Sequence, residues 1–598
     1  MCGILGQLNQ FQHINADAFD RMRDSLVHRG PDDDGSWFSE DGLVAIGHRR
    51  LSFLDLTVAG HQPMTNENQT LWLTYNGEIY NYTELTAILT AKGHCFKSTS
   101  DSEVLLHGYE EWGYGLLDRI KGMFTFGIWD AQKKKLFLAR DRFGIKPLYY
   151  AHFKDKFLFA SEIKAIHLEP ETTLTIDYTS VFDYLNYRYI PSPATIWKEV
   201  SKLPPAHFLV YDYPSGRIEE IKEYWKLIPG NEKPEVKKAV VKVDELLYQS
   251  INQHIRSDVP IGSFLSGGYD SSAIVYYLHR LGYTANTFSI GFEDWDQSEH
   301  QYAEMVANKF NMPFFHALAG EEQFELVKKL MYFYDEPIAD ISIIPTYMVS
   351  NLAAKHNKAV LSGEGADEIF CGYWWQKRMA TMPPLSNLWW KKLIGILLKE
   401  YTGFLTNEYA DAMAMGRFSE KEIKELIHPD LATFLRNDSD WFYRHYVNQE
   451  LSPLKNFQIM DIKTFMGELV LTKIDRSSMA NSLEVRVPFL DHELVEYIFS
   501  LNEKAYYSPG VAKYPLYENI KQSLPDVILY RKKQGFVGPD SYYMNIDRYA
   551  LTLKNGCLVK QHIITVDSLN LLIAQKDHWR LWKLYVLEIW WKQWVGYR

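Results

Sequence analysis

The chain has 598 residues, of which 46% are hydrophobic and 23% are charged. This balance is typical of a globular protein with two large domains, and it excludes long disordered, collagenous and fibrous classes. With 64 basic and 75 acidic residues the formal net charge is −11. Because such a chain repels phosphate backbones, nucleic acid is disfavoured as its main ligand.

Cysteine usage and apolar runs indicate the compartment. The four cysteines are widely spaced without a CxxC pair, so their pattern predicts neither a disulfide framework nor a zinc site. The N-terminus MCGILGQLNQF lacks the basic and apolar segments of a signal peptide. The apolar stretch 385–398 is interrupted by Lys391 and Lys392 and is no membrane span. We therefore expect a reduced cytoplasmic protein without membrane contact.

The first part of the chain is predicted to be rich in strands. Residues 135–140 and 156–160 are short, rich in Phe and Leu and bounded by turn residues, which predicts hairpin strands. Helical spacing appears at 104–112, and DYPSG within 211–216 predicts a turn. These elements predict an α+β domain over residues 2–215.

The pattern changes after 229–234, a Pro- and Gly-containing linker. Beyond it, predicted helices and strands alternate, which favours a parallel sheet with crossover helices and hence an α/β domain over residues 235–598. The predicted helices are 240–256, 271–281 and 300–310, and the predicted extended segments are 260–265, 287–292, 313–317 and 359–361. Residues 373–456 are predicted to be helical. An aromatic stripe at 579–595 favours core packing over a partner surface.

Cys2 follows only the initiator Met1. If Met1 is removed, one residue carries both a thiol and an α-amine that can take the thiol proton near neutral pH. The position of Cys2 alone does not favour a catalytic role. However, the motif TYNGEIYN supplies Asn76 and Gly77 as candidate oxyanion-hole donors, with Glu78 in the same loop. Two carboxylates and a guanidinium could clamp a free amino acid: Glu78, Asp101 and Arg50.

Together with HRGPDD at 28–33 and RDRFGIKPLYY at 140–150, these motifs resemble the class II glutamine amidotransferase domain. The resemblance implies an N-terminal nucleophile fold, in which two stacked antiparallel sheets lie between helices (αββα), and cleavage of glutamine to glutamate and ammonia. It implies Cys2 as the nucleophile and its own amine as the base, with Asn76 and Gly77 facing the oxyanion. The glutamine-binding residues that it implies are Arg50, Leu51, Ser52, Phe53, Leu54, Asn76, Gly77, Glu78 and Asp101.

Two glycine-containing loops follow predicted strands in the second part. SGGYDSS at 266–272 precedes a helix, and its glycines, hydroxyls and helix N-terminus suit an anion. The loop is not the GxxxxGK[ST] type, and Asp270 within it is a candidate magnesium ligand. LSGEGADEIFCGY at 361–373 adds a second acidic loop. Because such loops meet at the carboxyl edge of a sheet, the pair suits Mg²⁺–ATP, while two ordinary turns remain the alternative.

SGGxDS resembles the PP-loop of ATP pyrophosphatases, and a PP-loop domain behind a class II glutaminase resembles the glutamine-hydrolysing asparagine synthetases (asparagine synthetase B family). Matching stretches occur at 335–347, 475–496 and 531–539. The resemblance implies an adenine nucleotide alpha hydrolase-like α/β domain with extra helices. It implies Mg²⁺ at Asp270 and Asp367, and aspartyl-adenylate beside Glu364. The ATP-binding residues that it implies are Phe264, Ser266, Gly267, Gly268, Asp270, Ser271, Ser272, Ile290, Ser362, Gly363 and Lys513.

Three positions depart from the family pattern: Tyr269 replaces Leu or Ile, Cys371 replaces a common Gly, and KYPLYE at 513–518 lacks an arginine. The expected function is ATP-dependent conversion of aspartate to asparagine with ammonia from glutamine. Charged groups near Glu364 and Arg486 are expected to face aspartate. The alternatives are amidation of another carboxylate, such as a sugar acid or secondary metabolite, and an inactive regulatory paralogue. The expected partners are glutamine, aspartate and ATP, with a homodimer as the candidate assembly.

Overall fold

The computed structural model describes residues 2–293, 295, 298–382, 395–511, 513–531, 535, 536 and 538–596. Met1 and most of the 385–398 stretch lie outside the described residues, as do residues 532–534 and 537 of the 531–539 motif. Among the described helices, none is both long and apolar enough to cross a membrane.

The first half of the described chain contains two six-stranded antiparallel sheets with five α-helices. Its strands are β1 (Gly3–Asn9), β2 (Asp33–Phe38), β3 (Val44–Arg50), β4 (Met64–Thr65), β5 (Leu71–Ile79), β6 (Gly122–Asp130), β7 (Lys135–Arg140), β8 (Tyr149–His152), β9 (Lys156–Ala160), β10 (Val200–Lys202), β11 (His207–Asp212) and β12 (Arg217–Glu223). Its helices are α1 (Ala16–Asp24), α2 (Tyr82–Ala91), α3 (Ser102–Trp112), α4 (Ile163–His167) and α5 (Tyr178–Tyr187). The strand orders are β10-β8-β9-β1-β3-β2 and β12-β11-β7-β6-β5-β4.

Alternating side chains place the two sheets face to face. In β1, Ile4 and Leu8 pack in the core between the sheets, whereas Leu5 packs with Phe19 and Met22 of α1 on the outer face. The outer face of the second sheet is covered in the same way by α2 and α3. The layers therefore run helix, sheet, sheet, helix, and the predicted αββα fold is confirmed.

The predicted strands at 135–140 and 156–160 coincide with β7 and β9, and the predicted helix at 104–112 belongs to α3. The turn within 211–216 joins β11 to β12 in one hairpin, so the sheet continues to Glu223, past residue 215. The domain limits 2–215 and 235–598 stay a prediction.

The second half begins with α6 (Val236–His254), β13 (Ile261–Phe264), α7 (Tyr269–Arg280), β14 (Thr287–Phe292), α8 (His300–Lys309), β15 (Phe314–Ala319), α9 (Leu326–Tyr334), α10 (Ile343–Ala354), β16 (Ala359–Leu361) and α11 (Ala366–Ile369). Helical structure follows in α12 (Trp374–Ala380), α13 (Gly395–Ala412), α14 (Glu420–Leu426), α15 (Trp441–His445), α16 (Pro453–Met460), a π-helical segment (Asp461–Val470) and α17 (Leu471–Met479). The chain ends with β17 (Glu484–Arg486), α18 (His492–Ser500), α19 (Tyr514–Ile520), α20 (Asp526–Leu529), α21 (Ile546–Lys554), α22 (Cys557–Lys560), α23 (Val566–Ala574) and α24 (His578–Trp594).

In the described residues of this half, five strands form one parallel sheet in the order β15-β14-β13-β16-β17. The alternation of strands and helices therefore gave the predicted α/β architecture. Because β13 and β16 are neighbours, the loops after Phe264 and after Leu361 emerge side by side at the carboxyl edge of the sheet.

The aromatic C-terminal helix α24 lies in the core. Trp582, Trp590 and Trp591 are almost fully buried, and the Trp590 indole donates a hydrogen bond to the Asp335 carbonyl (2.6 Å). The Lys583 carbonyl accepts from the Tyr184 hydroxyl of α5 (2.8 Å), so this helix also packs against the first half of the chain.

Candidate active sites

Cys2 lies immediately before β1 and is buried. Its backbone N–H donates to Oδ1 of Asn76 (2.9 Å), and its carbonyl accepts from Nε of Arg29 (3.0 Å). Burial raises the pKa of the Cys2 thiol, and a hydrogen bond from the Leu51 backbone opposes this only in part. The resting thiol is therefore held in its neutral form, and a nucleophilic role requires a base.

Asn76, Gly77 and Glu78 lie in strand β5, and their placement in a loop is wrong. Asn76 pairs with Thr125 and Gly77 with Phe124 of β6. A Cβ at position 77 would overlap the backbone of β6, so the tight pairing accepts only glycine there. Nδ2 of Asn76 is buried and has no hydrogen-bond partner among the described atoms. An unpaired buried donor beside a thiol is suited to an incoming oxyanion.

Arg50 ends β3 and organises the loop that follows it. Its guanidinium donates to the carbonyls of Leu54 (3.1 Å), Asp55 (2.6 Å) and Thr57 (3.3 Å). These bonds fold the loop back over the end of the strand. The side chains of the four predicted loop residues are buried by this fold: Leu51, Ser52, Phe53 and Leu54.

Asp101 is buried directly before α3. Its Oδ2 accepts from the Tyr75 hydroxyl (2.7 Å) and from the Ile79 backbone N–H (2.8 Å), which ties it to both ends of the β5 segment that holds Asn76. Burial raises the pKa of Asp101 despite these two hydrogen bonds.

Glu78 pairs with a residue of the second half of the chain. Its Oε2 accepts from Nη2 of Arg486 (2.9 Å), and Nε of Arg486 donates to Oε1 of Glu484 (2.5 Å). Burial raises the pKa of Glu78 well above its usual range. Burial acts in the same direction on Glu484, but Arg486 outweighs it and holds the pKa of Glu484 at about 2. Arg486 thus pairs with a residue of the first site and is not among the residues that line the second cavity. The expectation that charged groups near Glu364 and Arg486 face aspartate stays a prediction.

The second site is a cavity of about 620 Å³ at the carboxyl edge of the parallel sheet. Most of the predicted ATP, metal and catalytic residues line it together: Phe264, Ser266, Gly267, Gly268, Asp270, Ser271, Ser362, Gly363, Glu364, Asp367 and Lys513. Ile290 and Ser272 are not among its lining residues. Ile290 packs in the hydrophobic core behind the sheet, and the Ser272 hydroxyl is turned into the buried side of α7.

The loop between β13 and α7 forms a compact anion-type turn. Gly267 has φ +73°, and a Cβ there would lie 2.6 Å from the Tyr302 backbone, so glycine is required on both grounds. The Ser266 hydroxyl accepts from the Gly268 N–H (3.3 Å), and the Ser271 hydroxyl accepts from the Ser266 N–H (3.1 Å). These bonds hold the loop around the N-terminus of α7, where anions are favoured.

Asp270 and Asp367 converge on one cation. The Lys513 ammonium pairs with Asp270 and with Oδ1 of Asp367 (2.8 Å). Burial would lower the pKa of Lys513, but the two carboxylates outweigh it and raise that pKa above its usual value. Two carboxylates that enclose a positive charge are a donor set that fits Mg²⁺, which prefers oxygen ligands. Oε2 of the neighbouring Glu364 is buried without a hydrogen-bond partner in the described structure.

The cavity also contains charged residues that the sequence reasoning missed: Arg188, Glu299, Asp340, Lys377, Lys473 and Arg531. Asp340 and Arg531 belong to the stretches 335–347 and 531–539, whose sequences match the family pattern. Glu299 pairs with Arg531, and burial raises the pKa of Glu299 to about 7 although Arg531 acts in the opposite direction. Arg188 follows α5 in a left-handed turn (φ +75°) of the first half of the chain, where no motif marked it.

Comparison with known proteins covers both halves. The glutamine amidotransferase domain model matches residues 1–225, and the asparagine synthase model matches residues 242–592. Asparagine synthetase (glutamine-hydrolyzing) 1 of Bacillus subtilis is 35% identical over 571 residues, which cover 91% of this chain and 88% of the relative. A putative asparagine synthetase (glutamine-hydrolyzing) of Mycobacterium bovis is 30% identical over 624 residues, with coverages of 96% and 93%.

Among solved structures, the glutamine phosphoribosylpyrophosphate amidotransferase of Bacillus subtilis is 17% identical with a TM-score of 0.29, covering 53% of this chain and 65% of that chain. The family matches and the two relatives agree along almost the whole sequence. The chain belongs to the asparagine synthase family and carries a glutamine amidotransferase domain in its first half.

Proposed function

We propose that the protein is a glutamine-dependent asparagine synthetase, an ATP-dependent amidoligase with two sites. Glutamine and water give glutamate and ammonia at the first site. Aspartate, ATP and that ammonia give asparagine, AMP and pyrophosphate at the second. The observation that carries the proposal is the pairing, in one chain, of Cys2 beside an unpartnered Asn76 amide with a cavity that gathers Asp270, Asp367 and Lys513.

At the first site, the Cys2 α-amine takes the thiol proton, the thiolate attacks the side-chain carbonyl of glutamine, and the amine returns the proton to the leaving ammonia. Water then hydrolyses the thioester, which releases glutamate and the free thiol. The oxyanion that forms is stabilised by Nδ2 of Asn76 and the N–H of Gly77. The base is the Cys2 α-amine, which exists only after removal of Met1, a residue outside the described part of the chain. Arg50, Asp101 and the buried loop 51–54 hold the glutamine, with Glu78 fixed by Arg486 at the rear of the site.

At the second site, an aspartate carboxylate oxygen attacks the α-phosphorus of ATP and pyrophosphate leaves. Ammonia then attacks the activated carbonyl, AMP leaves, and the adduct loses a proton. Asp270 and Asp367 would hold Mg²⁺, which neutralises phosphate charge when it is bound. Lys513, released from this pair, would contact the phosphate oxygens, and Glu364, which lines the same cavity, would lie beside the adenylate.

Ammonia would reach the second site along the apolar contact between the two halves of the chain. Phe53, Met123, Phe143 and Ile145 of the first half are buried in the same hydrophobic cluster as Ile474 and other residues of the second half. Apolar packing of this kind excludes the water that would protonate ammonia in transit. This packing supports direct transfer between the sites.

Amidation of a sugar acid or another carboxylate by the same two sites is not favoured over this function. An inactive paralogue is disfavoured because the proposed catalytic and metal-binding groups are retained, namely Cys2, Asn76, Asp270, Glu364 and Asp367. A homodimer and a cytoplasmic location stay predictions.

An acceptor panel tests the proposal. Purified protein is incubated with ATP, Mg²⁺, glutamine and one of L-aspartate, L-glutamate or a uronic acid, and AMP and amide products are quantified. We expect asparagine and AMP in equal amounts with L-aspartate only. Formation of an amide on the uronic acid, with no asparagine, would instead support amidation of a sugar acid as the function. Intact mass of the active protein is expected to lack Met1.

A further inference from the structure

Two histidines and a glutamate come together on the outer side of the first domain, in a place that the two-site mechanism does not use. His107 and Glu110 lie on α3, and His94 lies in the segment that connects α2 to α3. One ligand atom from each of the three residues lies within 4.8 Å of the other two. Oε2 of Glu110 is 2.9 Å from Nδ1 of His107 and 3.6 Å from Nδ1 of His94.

These separations match the edges of a metal coordination polyhedron. Imidazole nitrogens and carboxylate oxygens lie about 2.0–2.2 Å from Zn²⁺, so two ligand atoms of a tetrahedral site are about 3.3 Å apart. The two nitrogen–oxygen distances lie on either side of that value. A small adjustment of the two exposed partners would equalise them, since the side chains of His94 and Glu110 are 18% and 24% exposed.

The far side of each imidazole supplies an independent second observation. Nε2 of His107 faces Oε1 of Glu103 (3.5 Å) and Oε1 of Glu67 (4.0 Å). Nε2 of His94 faces Oε2 of Glu111 (3.5 Å). Metal-bound histidines typically direct their second ring nitrogen to a carboxylate, which fixes the tautomer and orients the ring. His94 has that arrangement through Glu111, while Nε2 of His107 lies near two carboxylates without a hydrogen bond to either, and His107 is more than nine-tenths buried.

We propose that His94, His107 and Glu110 bind one Zn²⁺ ion, with water in the remaining position. Two imidazoles and one carboxylate with an open fourth place form a zinc-type set, whereas Mg²⁺ and Ca²⁺ prefer oxygen ligands. The ion would link His94 to α3 and so hold the connecting segment 92–101 against that helix. That segment ends at Asp101 of the glutamine site, and its Thr99 N–H donates to Asp55 (2.8 Å) in the loop that Arg50 organises.

Calorimetric titration of Zn²⁺ into chelator-treated full-length protein tests the site. The Cys2→Ala background is used so that the active-site thiol does not compete. His94→Ala and Glu110→Gln remove ligands, and Glu111→Gln removes an outer carboxylate. The matched controls are His279→Ala, an exposed histidine on α7, and Cys95→Ser, the exposed thiol next to His94.

We expect one Zn²⁺ binding step that depends on His94 and Glu110, distinct from any binding at Asp270 and Asp367, and a raised thermal midpoint on binding. Glu111→Gln should weaken binding about 10-fold, the ligand variants should weaken it more, and both controls should bind as the parent does. The absence of a 1:1 binding step would overturn the proposal. Equal binding by the parent and both ligand variants, or loss of binding only in Cys95→Ser, would also overturn it.

Discussion

Asn76 holds Cys2 with one end of its amide and leaves the other end unpaired: Oδ1 accepts from the Cys2 N–H at 2.9 Å, while Nδ2 is buried with no partner in the described structure. A buried amide N–H without an acceptor destabilises the protein. A ligand that brings an acceptor to this N–H relieves that cost when it binds. The Asn76 side chain therefore positions the Cys2 nucleophile and also offers a hydrogen-bond donor to the oxyanion that forms when Cys2 attacks.

We expect Asn76→Ala to lower kcat for glutamine hydrolysis by about 10²–10³-fold, the typical effect of removing one oxyanion donor. Synthesis from ammonium salts should remain, because it bypasses the first site, and it serves as the control for folding. Glutamate release and ammonia-dependent asparagine formation are measured on the same preparation. Equal losses in both assays would contradict the assigned role.

Cys2→Ala should abolish glutamine-dependent synthesis and leave ammonia-dependent synthesis near the parent rate. The thiol acts only on glutamine, whereas the activated carboxylate accepts ammonia from any source. Product formation is compared with glutamine and with ammonium chloride as nitrogen donors. If the ammonia-dependent rate fell as far as the glutamine-dependent rate, the separation into two sites would be wrong.

Asp270→Asn should abolish AMP and pyrophosphate formation and spare glutaminase activity. The change removes one of the two carboxylates that enclose the Lys513 ammonium, and with it half of the proposed magnesium ligands. Pyrophosphate release and glutamate release are the two readouts. Asp244→Asn, which removes the carboxylate paired with Arg280 on the same domain, is the control and should leave both rates unchanged. Parent-rate pyrophosphate release by Asp270→Asn would refute the assignment.

Arg486→Met should destabilise the protein by about 3–5 kcal/mol, the usual cost of breaking a buried ion pair. The change leaves the ionised Glu484 carboxylate buried without its cation and removes the hydrogen-bond donor of Glu78. Urea unfolding measures the loss. Lys328→Met removes an exposed pair with Glu325 and is expected to cost about 0–1 kcal/mol. Equal unfolding midpoints for the two variants would contradict a large contribution of the Arg486 pair to the free energy of unfolding.

The affinity for ATP should weaken as pH rises through about 7. Burial raises the pKa of Glu299 to about 7, so this residue is neutral below that pH and charged above it. Once charged, it neutralises Arg531 at the wall of the cavity and repels phosphate. KM for ATP is measured from pH 6 to pH 8.5, and Glu299→Gln should remove the rise. Glu304→Gln on the exposed side of α8 is the control and should retain it.

The sequence pattern predicted those strands whose conformation depends mainly on their own residues. β7, β9, β14 and β16 begin and end where alternation or short apolar runs placed them. The glycine-containing loops were also foreseen, because the left-handed φ of Gly267 follows from local chemistry. Ile290, which only the family resemblance implied, is not among the residues that line the cavity, and its role in ATP binding stays a prediction.

Contacts between distant parts of the chain could not be foreseen in the same way. The pairing of Glu78 with Arg486 joins residues 408 positions apart, and no spacing rule reaches that far. The placement of Asn76 in a strand depends on the tight pairing of β5 with β6, which the motif TYNGEIYN does not contain. The position of Arg188 depends on how the two halves pack.

Arg188 lies in the region matched by the glutamine amidotransferase model, yet it lines the cavity of the other half. The second half therefore does not contain its whole active site. A chain that lacked residues 1–225 would lack this guanidinium, which lies 3.9 Å from Asp340 in the intact protein. Loss of the first domain would therefore remove a charged residue from the wall of the second cavity as well as the glutamine site.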